Sequence, residues 1–165
     1  MSTRVFIVDT NVLVAGLITA ERQSPTAQIL DAMLTGKIFY LLSSELAQEY
    51  RDVLLRPRLT RLHGLNETEI DQVMNEIAAN AIWRDPPPDT THMAPDPQDA
   101  HLWSLLASDP AAVLITGDLL LVENPRPQSS IISPKTWTKH LQIRGCKAEV
   151  KTGRAPGPDG LPWTG

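Results

Sequence analysis

The chain has 165 residues and a formal net charge of -4, which is length enough for one domain with a sizeable core. No apolar run approaches the ~20 residues of a membrane span, no signal-peptide pattern opens the chain, and the lone Cys146 has no intrachain partner for a disulfide; the expectation is a cytoplasmic protein that does not engage a membrane. Residues 139–165 carry Lys139, Arg144, Lys147, Lys151 and Arg154 against Glu149 and Asp159, a net of +3, so the other 138 residues carry -7. An acidic body is a poor general footprint for nucleic acid. Contact with nucleic acid then needs a local basic patch, such as Arg51, Arg56, Arg58 and Arg61, or metal ions that bridge acids to phosphates.

Val5-Phe6-Ile7-Val8 is an apolar run without alternation, which reads as a strand buried on both faces. Asp9, Thr10 and Asn11 follow at its carboxyl end. Val12 to Ile18 starts a helical segment. Ser24 and Pro25 form an N-cap with proline at the first helical position, and the helix after them ends at Gly36. Ile38 to Leu42 is a second buried strand. Ser43 or Ser44 caps a helix that runs to Leu55, where Arg56-Pro57 breaks it. Leu46, Tyr50, Val53 and Leu54 form its inward stripe. Glu49 lies about 85° from the centre of that stripe, on its border, and Glu45 lies about 125° away, towards solvent.

Asn66 and Glu69 make a capping box for a helix to about Asn80. Ala81-Ile82-Trp83 is a short third strand, and residues 85–95 are too proline-rich for regular structure. Asp96-Pro97-Gln98-Asp99 opens the next helix, with Asp99 over the face that carries Leu102, Trp103 and Leu106. Ala112 to Thr116 is a further buried strand, closed by Gly117 and Asp118. Ser130 to Ile132 is a last strand and Pro134 to Leu141 a last helix. Past residue 144 the sequence turns basic and rich in proline and glycine, so residues 1–144 form the domain and 145–165 a tail. Strands that alternate with helices predict an α/β fold, a three-layer α/β/α sandwich on a mostly parallel sheet of about five strands.

In such sheets ligands bind at the carboxyl ends of the strands. Asp9 and Asp118 end strands, while Glu49 and Asp99 sit at inward helix positions. Four carboxylates at close range do not all stay ionised cheaply, so the cluster predicts Mg²⁺ or Mn²⁺. Such a site activates water and stabilises the attacking and leaving oxygens of a phosphoryl displacement. Each acid alone also has a plainer role. Asp9 and Asp118 suit turns or helix caps, Asp96 suits an N-cap with Asp99 reaching back to it, and Glu49 suits a half-exposed helix face.

Other chemistries have less support. There is no glycine-rich phosphate loop. His63, His92, His101 and His140 show no metal-ligand spacing and read as surface or capping residues. Asp9 after the first strand also resembles aspartyl-nucleophile phosphatases of the haloacid dehalogenase type, but these need a second aspartate where this chain has Asn11.

Four segments together resemble one family. Residues 7–14, Ile-Val-Asp-Thr-Asn-Val-Leu-Val, are similar to the first motif of PIN domains, and residues 43–59 to the second. Asp-Pro-Gln-Asp-Ala-His-Leu at 96–102 and Leu-Ile-Thr-Gly-Asp at 114–118 resemble the third and fourth. The resemblance spans about residues 4–141 and is strongest to the branch of toxins in toxin-antitoxin pairs, the VapC-like ribonucleases. It implies Mg²⁺- or Mn²⁺-dependent cleavage of RNA, with Asp9, Glu49, Asp99 and Asp118 as metal and catalytic acids. Asn11 and Thr116 match supporting positions, with Asp96 as an addition. It also implies an antitoxin partner and a homodimer. A non-catalytic module that binds RNA or protein on the same fold is the alternative.

Overall fold

The computed structural model describes residues 4–139. The described residues fall into two units, the first ending at Pro134. The predicted domain limit at 144 and the basic tail lie outside the described residues.

The first unit carries five strands: β1 (Val5–Val8), β2 (Phe39–Leu42), β3 (Ile82–Trp83), β4 (Val113–Ile115) and β5 (Ser130–Ile132). All pair in parallel, in the order β3-β2-β1-β4-β5. Seven helices flank them: α1 (Thr10–Ile18), α2 (Pro25–Leu34), α3 (Ser44–Leu54), α4 (Pro57–His63), α5 (Glu67–Asn80), α6 (Ala100–Ser108) and α7 (Leu119–Glu123). The result is the predicted α/β/α sandwich. Its all-parallel sheet follows from the continuous apolar runs, since Ile7, Val8, Tyr40, Leu41, Leu42, Leu114 and Ile115 are all buried.

Three local choices fix the frame. Gly16 lets α1 lie against α2, because a Cβ there would meet the Thr26 carbonyl oxygen at 2.5 Å. The Asn66–Glu69 capping box starts α5 as predicted. The proline-rich segment after β3 has no regular structure but is tied down. Asp85 accepts from Ser44 N at 2.8 Å and from Ser44 Oγ at 3.0 Å. Asp89 pairs with Arg126 at 2.9 Å.

Three details differ from the sequence reading. Pro57 ends α3 yet also starts α4, since proline suits the first position of a helix as well as it blocks the interior of one. Asp118 caps a five-residue helix, α7, that its short apolar run did not announce. The segment Pro97–Asp99 is a single 3-10 turn, and α6 proper starts at Ala100. Residues 134–139 are helical, and the end of that helix lies outside the described residues.

The strand order places a switch point at β1 and β4. The chain moves outward from β1 through β2 to β3, then returns to lay β4 on the other side of β1. Val8 pairs with Ile115, so the residues after both strands emerge side by side. A crevice at such a switch point is the place where open α/β sheets bind ligands.

Candidate functional site

Asp9 is the hinge of this crevice. Its backbone N–H still donates to Ile115 O at 2.9 Å, and then the chain turns into α1. As N-cap of α1 its Oδ1 accepts from Thr10 N at 2.7 Å. Its Oδ2 accepts from the fully buried Thr116 hydroxyl at 2.7 Å and from Asn11 Nδ2 at 3.4 Å. Asp9 itself is only 6% exposed. Burial raises its pKa; the bonds from Thr116 and Thr10 pull the other way without cancelling that effect.

Asn11 and Thr116 lock the two strand ends together. Gly117 N donates to Asn11 Oδ1 at 3.0 Å. Thr116 Oγ1 accepts from Asp118 N at 3.0 Å while giving its proton to Asp9. Asp118 in turn caps α7 through Leu120 N at 3.0 Å. The plainer roles and the clustered arrangement are therefore not rivals. Asp9 and Asp118 cap helices, and capping is what fixes their carboxylates at the crevice.

Asp96 and Asp99 come from the far side. Asp96 accepts from Gln98 N at 2.9 Å and caps the 3-10 turn. Asp99 is the N-cap residue of α6, but its side chain makes no capping bond there. Its pKa is pushed up to about 6, first by burial and then by Asp9, Asp96, Glu49 and Asp118. One carboxyl thus feels all four of the other candidate acids.

Glu49 sits on the border of the buried face of α3, as its helical angle predicts. Its Oε1 accepts from His101 Nε2 at 2.8 Å. That bond lowers its pKa against the cost of burial. The Thr10 hydroxyl adds to the lowering. His101 corrects the sequence reading, which treats it as a surface or capping residue: its side chain is only 6% exposed. The signal was present in the run His101 to Leu106, which α6 buries without a break, leaving no solvent face there for a histidine.

The four arginines divide. Arg51 donates to Asp71 at 2.8 Å and to Glu67 at 2.8 Å, so its guanidinium ties α3 to α5. Arg56 precedes α4 and its charge reaches Glu49. Arg58 and Arg61 are exposed on α4.

Among the described residues, no three His, Cys, Asp or Glu side chains stand close enough to form a ready-made metal cage. The acids repel one another without enclosing a point. That donor set suits a hard cation which takes one or two carboxylates and keeps several waters, as Mg²⁺ does.

A PIN domain family model matches residues 5–120, from the first residue of β1 to just past Asp118. The chain belongs to the PIN-domain family. PIN domains are generally nucleases and typically bind divalent metals, so this is a nuclease fold. No curated protein shows significant sequence similarity to the chain. Asp9, Glu49, Asp99 and Asp118 all lie inside the matched span, as do Asn11, Asp96 and Thr116.

Proposed function

We propose that this PIN domain is an Mg²⁺- or Mn²⁺-dependent endoribonuclease. The observation that carries the reading is the gathering of Asp9, Asp96, Glu49 and Asp118 near Asp99, whose carboxyl is pushed up to about 6 first by burial and then by these four acids. A cluster in that state has a strong electrostatic demand for a cation. Asp9, Asp99 and Asp118 would hold the ion, one or two of them directly and the rest through its waters, with Glu49 as a further ligand or water-positioning base. A divalent ion there supplies Lewis-acid activation of water and neutralises charge on the phosphoryl oxygens.

The protein's own groups do the rest. Thr116 and Asn11 fix the Asp9 carboxylate and leave it little freedom to rotate away. Arg56, Arg58 and Arg61 lie where an RNA backbone following α4 would meet positive charge, and such contacts position a substrate without reading its sequence. Arg51 is already committed to α5 and contributes least.

The finer assignment is the toxin of a toxin-antitoxin pair, acting in the cytoplasm as a homodimer, with an antitoxin that covers the acid cluster. It rests on the resemblance of the motifs to VapC-like proteins. A non-catalytic module that binds RNA or protein is the second reading, favoured by the lack of a ready-made cage among the described residues.

Cleavage of a mixed panel of single-stranded RNAs separates the two. The parent and Asp9→Asn are compared with Mn²⁺ and with EDTA. The nuclease reading requires cleavage that needs both the metal and Asp9. Equal cleavage by Asp9→Asn, or RNA binding that ignores EDTA with no Mn²⁺ uptake, would sink it.

A further inference from the structure

The pair formed by Glu49 and His101 crosses between two helices that are far apart in sequence. Glu49 projects from α3 and His101 from the first turn of α6, next to the acids of the 96–99 segment. An ionised carboxylate only accepts, so the imidazole Nε2–H donates. The Glu49 side chain is 36% exposed, while the ring that holds it is 6% exposed. The buried partner is the rigid one, and it holds the freer one.

The other ring nitrogen sharpens the point. Among the described residues, the buried His101 Nδ1 has no hydrogen-bond partner. Burying an unsatisfied polar atom costs free energy that a leucine at this position would avoid. What offsets that cost is at Nε2, and Nε2 meets Glu49. The same ring lines a cleft of about 200 Å³ with Glu45, Asp85, Pro86 and Pro88. Its loss would remove part of the wall of that cleft.

We propose that His101 is a positioning residue of the carboxylate site: its Nε2–H clamps one oxygen of Glu49, fixes the orientation of that carboxylate, and leaves the second oxygen for a divalent cation. The inference rests on the metal-dependent reading above. Hydrogen-bond partners that orient a ligating carboxylate typically change metal affinity or activity by about 10–100-fold when removed. His101 acts through Glu49 and touches neither substrate nor ion.

A packing role and a positioning role order two substitutions in opposite ways. His101→Phe keeps a ring and the cleft wall but loses the donor. His101→Gln gives up the ring but carries an amide N–H near the position of Nε2. Mn²⁺ affinity of the whole protein is measured by isothermal titration calorimetry for both, with thermal unfolding as the check on folding. The positioning role predicts that His101→Phe weakens Mn²⁺ by about 10-fold or more while His101→Gln stays within about threefold. In a Glu49→Gln background, His101→Phe has no further effect.

Parent-like Mn²⁺ binding by His101→Phe would overturn the inference. So would the reverse order of the two variants, or an undiminished effect in the Glu49→Gln background. Where His101→Phe fails to fold, His101→Leu replaces it in the same comparison. RNA cleavage by the same proteins keeps the two readings apart. Mn²⁺ affinity that follows the predicted order without any cleavage supports the clamp and refutes the nuclease. Cleavage with no effect at His101 does the opposite. A parent that takes up no Mn²⁺ overturns both.

Discussion

Two groups of carboxylates in this molecule have opposite surroundings. Asp71 and Asp89 each face an arginine. Arg51 holds Asp71 below the usual carboxylate range, and Arg126 with Thr91 holds Asp89 well below it. Asp9 and Asp99 are both raised, each by burial first and then by neighbouring acids. The first group finds its cations inside the fold and uses them to join elements. Among the described residues no arginine or lysine is paired with the second group, and it sits at the crevice where the sheet switches direction. The difference separates acids that complete a structure from acids that await a ligand.

The contrast is most sharply broken at Asp9. Asp9→Asn keeps an acceptor for Thr10 N but turns an NH₂ towards the Thr116 hydroxyl. Metal-dependent RNA cleavage should fall by about 100-fold or more, since the ion loses a principal ligand. Circular dichroism should still report the folded α/β domain.

Adding the missing cation should stabilise only one group. At Mn²⁺ about 100 times its Kd, one-site linkage predicts about 2.7 kcal/mol of added stability. Thermal unfolding with and without Mn²⁺ measures it. The same gain is expected in Asp89→Asn, and it should shrink in Asp99→Asn.

The metal-free protein should show the repulsion as a pH dependence. Asp99 has a folded pKa of about 6, above the ordinary aspartate value of 3.8. The folded state therefore binds its proton more tightly, and stability is lost as pH rises from about 4 to about 6. Since Asp99 is partly open to solvent, the cost at pH 7 is on the order of 1 kcal/mol after screening. Urea unfolding in EDTA at pH 5 and pH 7 should show this loss, and Asp99→Asn should reduce it.

The paired acids should respond with the opposite sign. Asp89 has a depressed folded pKa, so its contribution is full above the ordinary carboxylate range and is lost as pH falls through and below it. Acid unfolding of Asp89→Asn should therefore be less steep than that of the parent. Arg51→Ala, at a more exposed pair, should have the smallest effect of the series on unfolding and none on Mn²⁺ affinity.

The sequence carried the fold because its strands are apolar on both faces and its helices announce their ends. Ser24-Pro25, Ser43 and Asn66 cap their helices as read. The border position of Glu49 followed from helical geometry alone. The two short helices were not legible, because Pro57 and Asp118 each serve as a stop and a start. His101 was missed for a different reason. Its importance comes from Glu49 on another helix, 52 positions away, and only the packing of α6 on α3 brings the two together. The tie of Arg51 to α5 was hidden likewise, since α5 supplies both of its acids.

The most direct test of the central contrast is the titration of the Asp99 carboxyl itself. Carbon-13 NMR of selectively labelled aspartate follows it in the metal-free protein and again with saturating Mg²⁺. The account predicts a midpoint near 6 without metal and a fall below the ordinary carboxylate value when Mg²⁺ binds. An ordinary midpoint in the metal-free protein, or one that Mg²⁺ does not move, would contradict it.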